Sequence, residues 1–268
     1  MRMFPGAGRL WPTLFLMGVW GCATTPVPSA GVPLRSPLPR HAGPLAGAVR
    51  TIVIDAGHGG HDPGTSHFGL KEKHLALDIA RALRDRLKKE GLRVVLTREA
   101  DLFIPLSGRP AIANRLRADL FVSVHINANR NSRVSGVEVY YPRVSEVSSA
   151  SVWPPSVASS EVGIPSMSVR QVLWDMVLGR TRFQSRRLAS TICRSMRTGL
   201  AVPCRAIKPA RFVVLREAWM PSVLVEVGYV TNQQEAGRLA NPAYRQDLAQ
   251  AIAEGIVAYL NELGTHRI

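Results

Sequence analysis

The chain has 268 residues, 46% of them apolar, which is enough to bury the core of one sizeable domain and excludes a wholly disordered protein. Its formal charge of +15 favours polyanionic surroundings: nucleic acid, anionic lipid or a carboxylate-rich cell wall. The basic residues are scattered, with no nucleic-acid fingerprint and no basic stripe interleaved with aromatics, so no nucleic-acid partner is expected.

The chain opens like an exported protein. Arg2 and Arg9 precede an apolar run from Leu10 to Trp20, followed by Gly21-Cys22-Ala23. A basic start, a short apolar stretch and small residues at its exit make a signal peptide over residues 1–21. The run is too short for a spanning helix, which needs about twenty apolar residues. Val19-Trp20-Gly21-Cys22 resembles a bacterial lipobox, in which the cysteine becomes the lipidated N-terminus. Trp20 departs from that pattern, where a small residue usually sits. The alternative is an ordinary signal peptide with an incidental cysteine. Lipidation at Cys22 implies a membrane anchor and a periplasmic location, at the outer membrane in a Gram-negative host. Residues 22–50 carry six prolines and no periodicity, the composition of an extended tether. Once Cys22 is set aside, Cys193 and Cys204 remain, either as a disulfide or as two free thiols.

The domain is expected over residues 51–264. Thr51 to Asp55 reads as a short buried strand running into the glycine-rich Ala56-Gly57-His58-Gly59-Gly60. Glu72 to Glu90 is helical, with Leu75, Ile79, Leu83 and Leu87 at four-residue steps and Gly91 as terminator. Leu92–Thr97 is a strand, Ser107–Arg117 a helix, Leu120–Ile126 a strand and Gly136–Tyr141 another. Arg182–Leu200 is helical, Phe212–Leu215 and Val223–Val227 are strands, and Tyr244–Leu263 is a closing helix. Strands alternating with helices imply a single α/β domain: a mostly parallel twisted sheet with helices on both faces. Ligands of such folds gather at the carboxyl ends of the strands.

Polar residues sit where a buried strand should not tolerate them. His125 lies near the end of Leu120–Ile126, and Glu226 is embedded in Val223–Val227. A buried carboxylate costs several kcal/mol, of the order of ~5, unless a cation, metal or proton balances it. A third strand end leads into the turn bearing His58. One such residue is usually a satisfied core group, but three strand ends together favour a shared site. Two histidines and a carboxylate suit zinc, with a fourth position left for water. Spacing alone leaves the identity of that carboxylate open; Glu72, at a helix start after the turn, is one candidate.

Four segments carry a more specific signal. Val53-Ile-Asp-Ala-Gly-His-Gly-Gly-His-Asp-Pro-Gly64, Gly69-Leu-Lys-Glu-Lys-His-Leu-Ala-Leu77, Ala118-Asp-Leu-Phe-Val-Ser-Val-His-Ile-Asn-Ala128 and Pro221-Ser-Val-Leu-Val-Glu-Val-Gly-Tyr-Val-Thr-Asn232 stand in order along the domain. Together they resemble the motifs of the amidase_3 family of N-acetylmuramoyl-L-alanine amidases. That resemblance implies zinc-dependent hydrolysis of the amide between N-acetylmuramic acid and L-alanine in peptidoglycan. It carries the zinc ligands onto His58, Glu72 and His125, and the catalytic glutamate onto Glu226. Asn127, Arg109 and Asn114 also match family positions, as substrate-contacting or supporting residues or as structural caps. His74 departs from the family, which often has Asp or Asn there. His61 and His67 are expected to be solvated bystanders. Septal members insert a helix that plugs the site until an activator protein withdraws it. Residues 142–180 occupy the corresponding place here, with Glu161 a conceivable plug. The alternatives are another zinc peptidase or deacetylase acting on the wall, or a wall-binding lipoprotein without catalysis.

Overall fold

The computed structural model describes residues 51–143 and 167–265. The expected signal peptide, Cys22, the expected tether and Glu161 lie outside the described residues.

The chain alternates strand and helix from the outset. Strand β1 (Thr51–Ala56) leads into a turn and a small hairpin, β2 (Ser66–His67) and β3 (Leu70–Lys71). Helix α1 (Glu72–Lys89) follows, then β4 (Arg93–Leu96), α2 (Gly108–Arg115), β5 (Leu120–Asn127) and β6 (Val137–Pro142). Helix α3 (Met167–Leu200) precedes β7 (Cys204–Ala210), the one-turn α4 (Val213–Arg216), β8 (Ser222–Tyr229), α5 (Gln233–Ala240) and α6 (Pro242–Thr265). Six strands form one sheet in the order β4-β1-β5-β8-β6-β7. The first four are mutually parallel, β6 runs antiparallel to β8, and β7 is parallel to β6. The sheet is therefore parallel with a reversed two-stranded flank.

Strand alternation divides the apolar residues between two cores. Ile52, Ile54, Val122, Val124, Val225 and Val227 join α1, α3 and α6 on one face. Val53, Phe121 and Leu224 point to the other face, beneath α2 and α4. The heavily covered face explains the near-continuous apolar runs of β1, β5 and β8. Leu75, Ile79, Leu83 and Leu87 form the buried stripe of α1, and the chain leaves that helix through Gly91 at φ 77°, where a Cβ would be strained. Gly255 on α6 lets that helix meet α3: a Cβ there would fall 2.5 Å from the Cα of Ile192.

Two expectations need correction, and β7 and α5 were not anticipated. Phe212–Leu215 is not a strand. Val213–Arg216 forms a helical turn, because Val214 and Leu215 are both buried against the smaller core, whereas alternation would expose one of them. The flanking strand is instead β7, whose weak pattern of exposed and half-buried residues hides it in the sequence. Helix α3 begins at Met167, fifteen residues before the expected start, so the 142–180 segment is helical in its last part. On that helix Met176 is exposed. Helix α5 is short and was hidden among polar residues; Asn232 caps it by accepting from the Glu235 amide.

Cys193 on α3 and Cys204 at the start of β7 are bonded, with Cα atoms 5.4 Å apart. The cross-link closes a short loop between the main helical layer and the reversed flank. Loop-closure entropy assigns such a link about 3 kcal/mol. Reduction, or the paired substitution of both cysteines by serine, is expected to lower the melting temperature by about 6–12 °C in a domain of this size, measured by calorimetry. An unchanged melting temperature would show that the link adds no stability.

Candidate metal centre

The chain leaves β1 through a turn whose carbonyls are held from within. His58 adopts φ 58°, a left-handed conformation that a residue with a side chain rarely takes. Arg109 Nη2 donates to the His58 carbonyl at 2.9 Å and Nη1 to that of Ala56 at 2.8 Å. Arg98 adds Nε to the Ala56 carbonyl at 3.0 Å, and Nη2 to those of Gly57 at 2.8 Å and Lys73 at 2.7 Å. Two buried guanidinium groups thus fix three successive carbonyls and tie them to the first turn of α1. Asp55, which is fully buried, offsets part of their charge. Its carboxylate pairs with Arg109 at 3.0 Å and accepts from Thr97 and Ser123 hydroxyls, each at 2.7 Å.

Three ligand-type side chains converge above this frame. One ligand atom each of His58, Glu72 and His125 lies within 4.8 Å of the others. Glu72 Oε2 is 3.2 Å from His58 Nε2, and Oε1 is 2.9 Å from His125 Nδ1. Glu72 is buried at the first position of α1. Its two oxygens also accept from the Thr65 amide and hydroxyl and from the Ile126 amide. Burial opposes its charge, but the two imidazoles outweigh burial and hold the carboxyl well below the usual carboxylate range. Burial also works against charge on both histidines, yet Glu72 raises them above their ordinary value. The negative charge that raises their affinity for a proton raises it equally for a cation. Asp62 Oδ2, 2.7 Å from His58 Nδ1, orients that ring and leaves Nε2 facing Glu72, the support that metal-binding histidines usually have.

Two glycines make room for this cluster. A Cβ on Gly57 would lie 2.5 Å from the His125 ring. One on Gly64, at φ 64°, would lie 2.6 Å from both Glu72 Oε2 and the His58 ring. The motif glycines are therefore spaces for the donors as well as turn residues.

Glu226 stands beside His125, its register neighbour across β5 and β8. Its Oε2 is buried and makes no hydrogen bond. Burial, opposed by His125 and reinforced by the charges of Glu72 and Glu138, pushes the carboxyl up to about 7. The structure thus brings His58, Glu72, His125 and Glu226 together at the carboxyl ends of β1, β5 and β8 and the start of α1.

The other sequence-flagged residues lie elsewhere. Arg109 serves the turn from below. Asn114 bridges α2 to the approach of β8, donating to the Glu217 carbonyl and accepting from the Trp219 amide. Asn127 ends β5, with Oδ1 accepting from the next amide, Ala128. His61 stacks near Phe103 and His67 against Phe68, and His74 is exposed on α1. Asp55, Arg98 and Asp62 were missed. Asp55 carried the same signal as Glu226, a carboxylate inside an apolar strand; Arg98 and Asp62 carried none.

The N-acetylmuramoyl-L-alanine amidase model of the Amidase_3 family matches residues 52–258. The chain is 37% identical to N-acetylmuramoyl-L-alanine amidase AmiA of Escherichia coli over 233 residues, covering 82% of this chain and 81% of that protein. Its fold matches the structure of amidase AmiC2 of Nostoc punctiforme with a TM-score of 0.63 and 34% identity, covering 79% of this chain and 97% of that one. The CwlD amidase of Clostridioides difficile, solved in complex with the GerS lipoprotein, matches with a TM-score of 0.63 and 27% identity, covering 80% and 98%. The chain belongs to the Amidase_3 family and is a peptidoglycan hydrolase of the N-acetylmuramoyl-L-alanine amidase class.

Proposed function

We propose that the metal is zinc, held by His58, Glu72 and His125, and that Glu226 is the general base and acid of amide cleavage. The observation that carries this reading is one pre-assembled His-Glu-His cluster with an unpartnered buried carboxylate beside it. Imidazole nitrogen and carboxylate oxygen suit zinc, and the Gly57 and Gly64 spaces keep the three donors close. A zinc ion bound there supplies Lewis acidity, acidifying a water molecule and polarising the substrate carbonyl.

The protein's own groups do the rest. Asp62 and the Thr65 donors keep His58 and Glu72 in place. Glu226 accepts the proton of the attacking water and delivers it to the nitrogen of L-alanine as the bond to the lactyl carbonyl breaks. Its raised pKa suits both roles, since a carboxyl near neutrality can accept a proton and release it again. The products are an unsubstituted glycan and a free stem peptide. Mass analysis of fragments from purified peptidoglycan separates this outcome from peptidase or deacetylase action.

His58→Ala and His125→Ala are expected to lose stoichiometric zinc and activity while keeping the fold, measured by elemental analysis beside circular dichroism. Zinc retained in both variants would remove the ligand assignment. Glu226→Gln keeps the shape and should retain zinc, but lose at least about a hundredfold in rate, the scale of general acid–base catalysis. Unchanged turnover with zinc bound would assign the proton transfer to another group.

We also place the protein in the cell envelope, lipidated at Cys22, with an activator protein as partner. The leader layout, the Cys193–Cys204 bond and the lipoprotein partner of the related CwlD amidase support this reading. Cys22→Ser should move the protein from the membrane fraction to the soluble envelope fraction. Membrane association that survives the substitution and salt washing, with the leader cleaved, would rule out the lipid anchor.

A further inference from the structure

The polar face of the sheet does not end at Glu226. On β5, β8 and β6 the residues His125, Glu226 and Glu138 stand side by side in register. Their strand neighbours Val124, Val225 and Val139 point into the larger core, so these three share the opposite face. Glu138 is buried, and its carboxylate accepts from the Tyr140 hydroxyl at 2.5 Å and from Lys208 Nζ at 2.9 Å. Burial works against its charge, but these two donors hold it below the usual carboxylate range. Lys208 reaches up from β7, where it is the register partner of Tyr140. Its side chain remains 51% exposed. Phe212, also exposed, meets the Tyr140 ring edge-on with ring centroids 5.2 Å apart.

We infer that Lys208 is a specificity-determining residue, binding a substrate carboxylate close to the scissile amide on the peptide side. Glu138 engages one ammonium proton and fixes the group; an ammonium has three donors, so others remain for a ligand. Neighbouring strands lie about 4.8 Å apart, which sets Glu138 and its ammonium one strand spacing beyond Glu226. A peptide chain advances about 3.4 Å per residue. The group within reach therefore belongs to the first few residues past the broken bond. The first is L-alanine, which carries no charge. The second, in the stem peptide, is D-glutamate linked through its side chain, with an α-carboxylate that is either free or amidated. Lys208 would favour the free carboxylate. This assignment rests on the amidase reading above.

The experiment uses the zinc-loaded full chain and two synthetic substrates, N-acetylmuramoyl tripeptides with D-isoglutamate or D-isoglutamine at the second position. The wild type is expected to cleave the free-acid substrate with a kcat/KM about fivefold above the amidated one, the scale of a half-exposed ion pair. Lys208→Met should abolish that preference while still cleaving the amidated substrate, and Lys208→Arg should keep it. A lysine that only neutralised Glu138 would lower both rates together and leave the preference intact, which would overturn the assignment. Inhibition of the wild type by the two released tripeptides supplies a measurement that no variant's folding can disturb. The acid form should inhibit at about fivefold lower concentration. Equal cleavage and equal inhibition by the two forms would overturn the role of Lys208 alone; cleavage of neither substrate by the zinc-loaded chain would overturn the zinc and Glu226 reading with it.

Discussion

The centre of this domain depends on one buried ion pair. Asp55 sits inside a strand with no exposure to solvent, and Arg109 meets it from α2. Neither charge is tolerable alone: breaking such a pair costs about 3–5 kcal/mol because the survivor stays buried. Joined, they convert a liability into a scaffold. The guanidinium has donors to spare after satisfying Asp55, and it directs them at the carbonyls of Ala56 and His58. That grip holds the left-handed backbone of His58, while Asp62 orients its ring. The strain at His58 is therefore balanced outside the donor cluster, on backbone carbonyls held by Arg109.

The reversed flank of the sheet has a comparable role. Had β6 continued in the parallel sense, its site-side end would have been its last residues. Running antiparallel to β8, it presents its start there, and Glu138 stands level with Glu226. Three acidic groups, Glu72, Glu138 and Glu226, thus crowd one end of the sheet. Two are held charged by partners, Glu72 by the histidines and Glu138 by Tyr140 and Lys208. The one without a partner is driven towards neutrality. This division of labour among like groups is a common origin of an acid–base residue.

Much of this was legible in the sequence because it obeys local rules. The four-residue apolar step of α1, the apolar runs of β1, β5 and β8, and the terminal Gly91 each reflect a pattern that burial imposes within one element. His58, His125 and Glu226 were visible for the opposite reason: polar groups at the ends of apolar strands require a partner. The rest depends on long-range geometry. Strand β7 lies at the sheet edge with little of its surface buried, so no alternation marks it. The turn of Val213–Arg216 is decided by the core it caps, not by its β-branched residues, whose preference points to a strand. The roles of Arg98 and Asp62 appear only once the chain closes on itself, because their partners lie on other elements or across a turn. Family resemblance points to Glu72, and the geometry gives the physical reason, since from the head of α1 it reaches both imidazoles.

The two outermost strands carry a further consequence. A sheet edge offers unpaired backbone groups on which another chain can build. Strand β4 is only four residues long and starts with Arg93. Strand β7, at the opposite edge, carries Arg205 and Lys208 and contains Pro209, which has no amide hydrogen to donate. Short length, positive charge and proline are the means by which natural sheets resist edge-to-edge aggregation. The charges and the proline of β7 thus disfavour the pairing of a further strand along that border.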